Sequence, residues 1–308
     1  MKFLKTHLNK TILLIVLFVA AAGVFSGCSS KAEDVIKVGS KEFSEQLILG
    51  QITVLALENA GYKVEDKTNI AGSDKVRSAL TNGEIDLYWE YTGTAWLMHL
   101  QHDEPITDSE EAYDKVKSED QANDLVWLNY APFNNTYTIM MTKEDSEKLG
   151  IKSISDLAAY VNKNPDKLSF AGDHEFAARP DGLPALEDIY GFQFGEKNLK
   201  VMELGIVYKT LKEKKVELGM GFATDGRIAA FDLINLEDDK QFFPVYNPAP
   251  VIRKEMLDNH PEIEDILNKI AAKLDTDTMT QLNYKVDIEE FDPKEVAKEW
   301  LEEQGFIQ

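Results

Sequence analysis

Short apolar segments alternate with segments of helical periodicity along most of the chain, and this alternation constrains the fold more than any other feature. VIKVGS at 35–40 is apolar and ends at a glycine, and residues 43–59 follow with apolar side chains at helical spacing. Strand-like segments recur at 85–91, 136–142 and 216–222. Strands that alternate with helices predict an α/β fold with mainly parallel sheets.

Further segments complete this pattern. FFPVYN at 242–247 is predicted as a strand, and the tail at 254–304 is predicted to be wholly helical. No stretch rich in proline or glycine separates two halves of the chain, so a two-lobed protein would have its chain cross between the lobes more than once. The other predicted strands begin at Tyr62 and cover LVWLNY (125–130), LSFAG (168–172) and LKVMEL (199–204).

Composition excludes several classes of function. The 308 residues include 33 Lys and Arg against 54 Asp and Glu, which gives a net charge of −21. A surface this acidic argues against a nucleic-acid partner, because phosphate binding needs basic side chains. A single cysteine makes neither an internal disulfide nor a structural zinc site, and the five histidines show no metal-binding spacing. We therefore expect no metal.

The N-terminus has the features of a secretory signal. A basic start is followed by an apolar run at 11–25 and by small residues before Cys28. Cys28 resembles the acceptor of a bacterial lipobox, although Phe25 stands where that motif usually has leucine. The prediction is a signal peptide at 1–27, a lipid on Cys28, a tether at 28–34, and a body held on the outer face of the cytoplasmic membrane.

Catalytic motifs are missing from the sequence. There is no G-x-S-x-G nucleophile elbow and no phosphate-binding P-loop. HEFAAR at 174–179 resembles a zinc-protease helix but has Arg179 where the second histidine is required. The sequence therefore predicts a protein without catalytic activity and without a cofactor.

Four aromatic residues lie near the ends of predicted strands, facing loops. In open α/β sheets, ligands bind beyond the carboxyl ends of the strands, so these rings are candidates for a binding site. They are Tyr91, Tyr137, Phe222 and Tyr246.

Six ordered motifs resemble the binding lipoproteins of ABC importers for glycine betaine, choline and carnitine. The resemblance covers roughly residues 35–304. The motifs are KVGSKEFSEQLILGQI, GEIDLYWEYTGTA, NNTYTIMMT, AGDHEFAARPDGLPALEDIYGFQF, ATDGRIAAFDL and FFPVYNPAPVIR.

This resemblance implies a two-lobed periplasmic-binding-protein fold of type II with a central cleft. TYTIMM and FFPVYN would be the two strands that cross between the lobes. The first lobe would comprise 35–136 and 247–308, and the second lobe 137–246. A ligand bridging the lobes would stabilise the closed state and present it to a permease. The expected oligomeric state is a monomer.

The resemblance also implies a site. Four rings would surround a quaternary ammonium, and by motif position they are Tyr91, Tyr137, Phe222 and Tyr246, although relatives usually have tyrosine where Phe222 stands. In members that bind betaines, the ligand carboxylate is held by residues that correspond to Lys41, Thr94 and Arg179.

Choline has a hydroxyl in place of a carboxylate, and it would leave Lys41 and Arg179 as two buried cations without a partner. The sequence thus favours betaine-like zwitterions, including carnitine and proline betaine, over choline. Two alternatives stay open: a receptor for another small zwitterion such as an amino acid, and a lipid-anchored sensor or enzyme on the same fold.

Overall fold

The computed structural model describes residues 35–179 and 182–308. The predicted signal peptide at 1–27, the lipidation site Cys28 and the tether at 28–34 lie outside the described residues. Within the described part of the chain, no helix has both the length and the apolar character that crossing a membrane requires.

The first of two five-stranded sheets is mixed. Its strand order is β2-β1-β3-β10-β4, in which β1 is parallel to β2 and β3, whereas β10 is antiparallel to β3 and β4. The strands are β1 (Val35–Gly39), β2 (Lys63–Lys67), β3 (Leu87–Tyr91), β4 (Leu125–Trp127) and β10 (Pro248–Arg253).

The second sheet repeats this arrangement. Its order is β7-β6-β8-β5-β9, in which β6 is parallel to β7 and β8, whereas β5 is antiparallel to β8 and β9. The strands are β5 (Tyr137–Thr142), β6 (Phe170–Gly172), β7 (Leu199–Val201), β8 (Leu218–Phe222) and β9 (Leu233–Asn235).

Helices connect most of the strands. A short α-helix, Thr92–Thr94, continues directly into a π-helical turn at Ala95–His99. Two further turns, Asp120–Asn123 and Glu196–Asn198, are 3₁₀-helical. The α-helices are Ser44–Asn59, Ser73–Thr81, Ser109–Glu119, Lys143–Leu149, Ile154–Lys163, His174–Ala178, Leu183–Tyr190, Leu204–Lys212, Arg227–Ala230, Lys254–Asn259, Glu262–Ala271, Thr276–Asp287 and Pro293–Glu303.

Each sheet has its own apolar core. Helix Ser44–Asn59 buries Ile48 and Ile52 in the cluster that contains Ile36 and Val38 of β1. The second sheet packs through another cluster, which contains Ile139, Leu157, Phe170, Leu186 and Leu218. Two sheets with separate cores make two lobes.

Three sequence predictions about the fold need correction. The sheets are mixed rather than mainly parallel, because β10 and β5 each run antiparallel to both of their neighbours. Residues 242–247 are not a strand, since the strand begins at Pro248. The tail consists of four helices separated by turns at His260, at 272–275 and at 288–292.

The antiparallel strands decide which residues meet at the sheet edges. Tyr91 at the carboxyl end of β3 is opposite Pro248, the first residue of β10. Tyr137, the first residue of β5, is opposite Phe222 at the carboxyl end of β8. The start of an antiparallel strand lies beside the carboxyl ends of its neighbours. This edge of the first sheet therefore carries Tyr91, and this edge of the second sheet carries both Tyr137 and Phe222.

Candidate ligand-binding site

A cavity of about 330 Å³ lies at these strand ends. Its wall includes Tyr91, Tyr137, Phe222 and Tyr246, which are the four rings that the sequence singled out. Residues from both sheets line it, and the lining also contains Lys41, Glu42, Phe43, Ser73, Thr94, Asn135, Asp173, Glu175, Glu203 and Arg227.

Tyr137 contacts two of the other three rings. The ring centroids of Tyr137 and Phe222 are 5.1 Å apart, and Tyr137 meets Tyr246 edge-on at 5.3 Å with the ring planes at 90°. Tyr91 and Tyr137 are buried, and burial raises the pKa of both phenols well above the ordinary value. Both phenols therefore stay neutral, and the aromatic part of the cavity wall carries no charge of its own.

Phe43 links Tyr91 to the other rings, and the sequence analysis missed it. Its ring centroid lies 5.3 Å from that of Phe222 and 6.2 Å from that of Tyr91. The residue directly precedes helix Ser44–Asn59, and its place in an amphipathic pattern pointed to the core. Its position two residues after Lys41 was the signal that could have placed it at the site.

Lys41 lies in the cavity wall with a carboxylate partner of its own. Its Nζ atom is 2.7 Å from Glu90 Oε1, and both side chains are buried. Glu90 also accepts hydrogen bonds from Tyr88 and from the Tyr91 backbone and lies 2.9 Å from His99 Nε2. Burial pushes the pKa of Glu90 upward, but Lys41 and His99 outweigh it and hold that pKa well below its usual range.

Arg179 lies one layer behind the cavity wall. Its Nη1 donates to the Tyr137 hydroxyl at 2.9 Å and to Glu175 Oε1 at 3.2 Å. Its guanidinium carbon is 5.4 Å from the centroid of the Tyr137 ring. Thr94, in contrast, is buried in the cavity lining itself. Of the three residues predicted for a ligand carboxylate, the structure therefore brings Lys41 and Thr94 to the cavity and places Arg179 behind a ring.

The preference against choline that the sequence predicts requires that Lys41 and Arg179 have no partners other than the ligand. That assumption is wrong, because Glu90 pairs with Lys41 and Glu175 pairs with Arg179. A ligand without a carboxylate leaves both cations with these partners. The physical basis for a strong preference against choline is therefore lost.

Arg227 is a third cation at the cavity that the sequence analysis did not identify. Its guanidinium pairs with Asp225 beside it and with Asp287 of helix Thr276–Asp287 at 3.2 Å. It also lies over the Tyr208 ring, 4.3 Å from the centroid. All three cations thus have resident carboxylates.

The family model that describes the substrate-binding domain of ABC-type glycine betaine transport systems matches residues 34–303. The chain belongs to this family. It is therefore the extracytoplasmic substrate-binding component of an ABC importer, and its family consists of non-catalytic binding proteins.

Individual relatives agree with this assignment. The protein is 42% identical to a glycine-betaine-binding protein of Pseudomonas aeruginosa over 94% of each chain. It is 35% identical to an ergothioneine transport permease and binding protein of Helicobacter pylori, over 98% of this chain and 53% of that one. The crystal structure of a glycine betaine/carnitine/choline ABC transporter protein is similar to this one, with a TM-score of 0.72 and 32% identity over 89% of this chain and all of the other. The protein thus has the type II two-lobed fold that the sequence predicted.

The Asp173 carboxyl in the cavity lining makes the stability of the protein depend on pH. Burial is the main reason why its pKa is raised from 3.8 to about 6. A raised pKa means that the folded state favours the protonated form. The resulting stability is present below pH 3.8 and is lost as the pH rises through about 6.

We predict that Asp173→Asn removes this loss. Asp173 accepts a hydrogen bond from the Phe176 backbone at the start of helix His174–Ala178, and asparagine preserves that cap. Relative to the wild type, the variant should gain up to about 3 kcal/mol in unfolding free energy between pH 4 and pH 8. Urea unfolding across this range measures the difference.

Asp275→Asn is the matched control, because Asp275 caps helix Thr276–Asp287 in the same way. The hydrogen bonds from Thr278 lower the pKa of this exposed carboxyl, so its stabilising effect is present at neutral pH and fades as the pH falls. Because that pKa lies below 3.8, this loss falls outside the range from pH 4 to pH 8, and within that range the control should differ from the wild type by a nearly constant amount. Parallel stability curves for wild type and Asp173→Asn would refute the assignment for Asp173.

Proposed function

We propose that the protein binds quaternary ammonium compounds, with glycine betaine as the reference ligand, by placing the methylated nitrogen against Tyr91, Tyr137, Phe222 and Tyr246. The observation that supports this proposal is that the cavity wall includes all four rings, drawn from both sheets. A trimethylammonium group has no N–H to donate, whereas an aromatic face attracts its charge and covers its methyl groups. Carnitine carries the same trimethylammonium group, and proline betaine carries a quaternary ring nitrogen with two methyl groups, so both fall in the same class of ligands without an N–H donor.

The energetics suit an affinity that depends on both ends of the ligand. Each desolvated cation–π contact contributes about 0.5–2 kcal/mol, so four rings contribute roughly 2–8 kcal/mol before ordering costs. A micromolar dissociation constant needs about 8 kcal/mol. The rings alone are marginal, and the polar end of the ligand supplies the remainder.

We assign that polar end to Lys41 and Thr94, supported from behind by Arg179. The side-chain ammonium of Lys41 has three N–H donors, and one of them donates to Glu90 Oε1, so the other two can donate elsewhere. A ligand carboxylate or hydroxyl beside Lys41 and Thr94 therefore finds hydrogen-bond partners. Since the cations have resident carboxylates, we include choline in the ligand class.

The Helicobacter pylori relative supports a second candidate, a betaine with a longer arm, which the size of the cavity allows. About 330 Å³ lies within the range of roughly 300–1,000 Å³ that is typical of drug-sized ligands. Glycine betaine has only eight non-hydrogen atoms. The Helicobacter pylori relative is named for ergothioneine, which is a betaine with a heterocyclic ring. Such a ligand keeps the trimethylammonium group that the rings would hold.

We propose that the first lobe comprises 35–136 and 247–308 and that the second comprises 137–246. The strands of each sheet fall within these ranges, and β5 and β10 begin at the two crossings. Ligand between the lobes would stabilise their closed arrangement, which the importer's permease would then recognise. We further propose that the protein acts as a monomer.

We predict that calorimetric titration detects glycine betaine and choline with dissociation constants within about tenfold of each other. 3,3-Dimethylbutan-1-ol, which is choline with carbon in place of the charged nitrogen, should bind at least roughly tenfold more weakly, because two or more cation–π contacts are lost. Ergothioneine in the same panel tests the longer-arm candidate. If the neutral alcohol bound as tightly as choline, the proposal would be contradicted. If only a primary amino acid bound, the protein would instead be a receptor for amino acids.

Substitution of Phe222 tests the rings separately. We predict that Phe222→Ala weakens glycine betaine binding by roughly three- to thirtyfold, because one cation–π face is lost, whereas Phe222→Tyr preserves the face and changes binding less. Calorimetry of the purified proteins measures both.

Phe192→Ala is the control, because Phe192 is buried in the second core and does not line the cavity. It should lower thermal stability at least as much as Phe222→Ala does, but it should leave the dissociation constant of glycine betaine unchanged. Equal binding by wild type and Phe222→Ala would remove Phe222 from the proposed site.

We also propose that a lipid on Cys28 anchors the protein after cleavage of 1–27. The support is the sequence alone, in which small residues precede the single cysteine. We predict that Cys28→Ser releases the protein from the membrane fraction into the soluble extracytoplasmic fraction, as immunoblots of fractionated cells would show. Retention of Cys28→Ser in the membrane fraction would contradict lipidation at this residue.

A further inference from the structure

A buried carboxylate, Glu45, joins the ring site to both lobes. Glu45 lies in the first turn of helix Ser44–Asn59 and is 3% exposed. Among residues 35–179 and 182–308, no lysine, arginine or histidine forms an ion pair with it, so neutral donors satisfy its oxygens. An isolated buried carboxylate is costly, and these donors offset that cost.

The donors come from four separate parts of the chain. Oε1 accepts from the Tyr91 hydroxyl at 2.7 Å and from Asn135 Nδ2 at 2.8 Å. Oε2 accepts from the Thr224 hydroxyl at 2.6 Å and from Asn283 Nδ2 at 3.1 Å. Tyr91 is one of the four rings, and Asn135 lies two residues before β5.

Thr224 is the donor that belongs to the second sheet. It follows β8 by two residues and is 1% exposed, and its hydroxyl also lies 2.8 Å from Asn135 Oδ1. Glu45 and Asn283 lie on helices that pack against the first sheet, where Ile48 and Leu282 share one core. Asn283 Nδ2 also donates to the backbone carbonyl of Thr224 at 3.1 Å. The contacts of Thr224 with Glu45 and Asn283 therefore exist only while the lobes are together.

We propose that Glu45 is a positioning residue that couples lobe closure to assembly of the binding site, with Thr224 as the partner that closure supplies. The Glu45 carboxylate orients the Tyr91 phenol and also accepts a hydrogen bond from Thr224 of the opposite lobe. Opening the lobes removes Thr224 and leaves a buried oxygen with fewer donors, which costs free energy beyond the loss of ligand contacts. A phenol that donates to an anion is also polarised, which strengthens the attraction of its ring for a cation. This inference rests on the proposed function, since the coupling would act on the rings that hold the ligand.

Thr224→Val tests the proposal with almost no change in volume. We expect the dissociation rate constant of glycine betaine, measured by stopped-flow fluorescence, to rise roughly ten- to a hundredfold, as the loss of a hydrogen bond to a charged group implies. The association rate constant should change by less than about threefold, because affinity changes within one interface lie mostly in dissociation. Thr224→Ser restores the hydroxyl and should return the dissociation rate to within about threefold of the wild type.

The matched control is Thr53→Val. Thr53 is fully buried, donates to the Leu49 carbonyl at 2.9 Å and accepts from the Trp89 indole at 2.9 Å, away from the cavity. It should lower stability without altering the dissociation rate. Small-angle X-ray scattering of the ligand-free proteins tests the role of Thr224 without any ligand. Thr224→Val should have a larger radius of gyration than Thr53→Val, because its lobes would open more readily.

The outcomes separate the two proposals. A wild type that binds no quaternary ammonium compound rejects the proposed function, and the scattering comparison then decides the role of Glu45 and Thr224. A dissociation rate and a radius for Thr224→Val that both match those of Thr53→Val overturn the positioning role. Failure of Thr224→Ser to restore the rate also overturns it, because the effect would then come from packing rather than from the hydroxyl.

Discussion

The antiparallel pairing of β5 with β8 is the constraint on which the binding site depends. It sets Tyr137 directly opposite Phe222, so that two rings from distant parts of the chain lie at one sheet edge with centroids 5.1 Å apart. In the other sheet, β10 runs antiparallel to β3 and begins beside Tyr91. Tyr246 lies two residues before that strand. Each sheet therefore contributes a strand end and the start of an incoming strand, and the four rings reach one cavity.

Each of the three cations at the site has a carboxylate partner within the protein. Lys41 pairs with Glu90, Arg179 with Glu175, and Arg227 with Asp225 and Asp287. A ligand then need not supply a counter-ion for any of these cations, so under the proposed function recognition would depend on the methylated nitrogen that all ligands of the class share. This arrangement fits a family whose members are named for zwitterionic and for simple cationic compounds. In the proposed site, selectivity among them would depend on hydrogen bonds at Lys41 and Thr94.

Much of this arrangement could be predicted from local sequence. Tyr91 and Phe222 end apolar strands, and loop-facing strand ends are where α/β sheets bind ligands. The mixed sheets were not predictable from alternation, because strand direction depends on where the chain enters each lobe. Glu45 and Glu90 were missed since their roles come from partners far along the chain, such as Thr224 for Glu45 and Lys41 for Glu90. Periodicity reports which face is buried, and it carries no information about such long-range hydrogen bonds.

The central claim is that aromatic faces, rather than a counter-ion, hold the ligand nitrogen. A crystal structure of the protein with glycine betaine tests it most directly. The account predicts the nitrogen within about 6 Å of the centroids of Tyr91, Tyr137, Phe222 and Tyr246, with the carboxylate towards Lys41 and Thr94. A nitrogen bound instead beside Asp173 or Glu175, outside the reach of these rings, would contradict it.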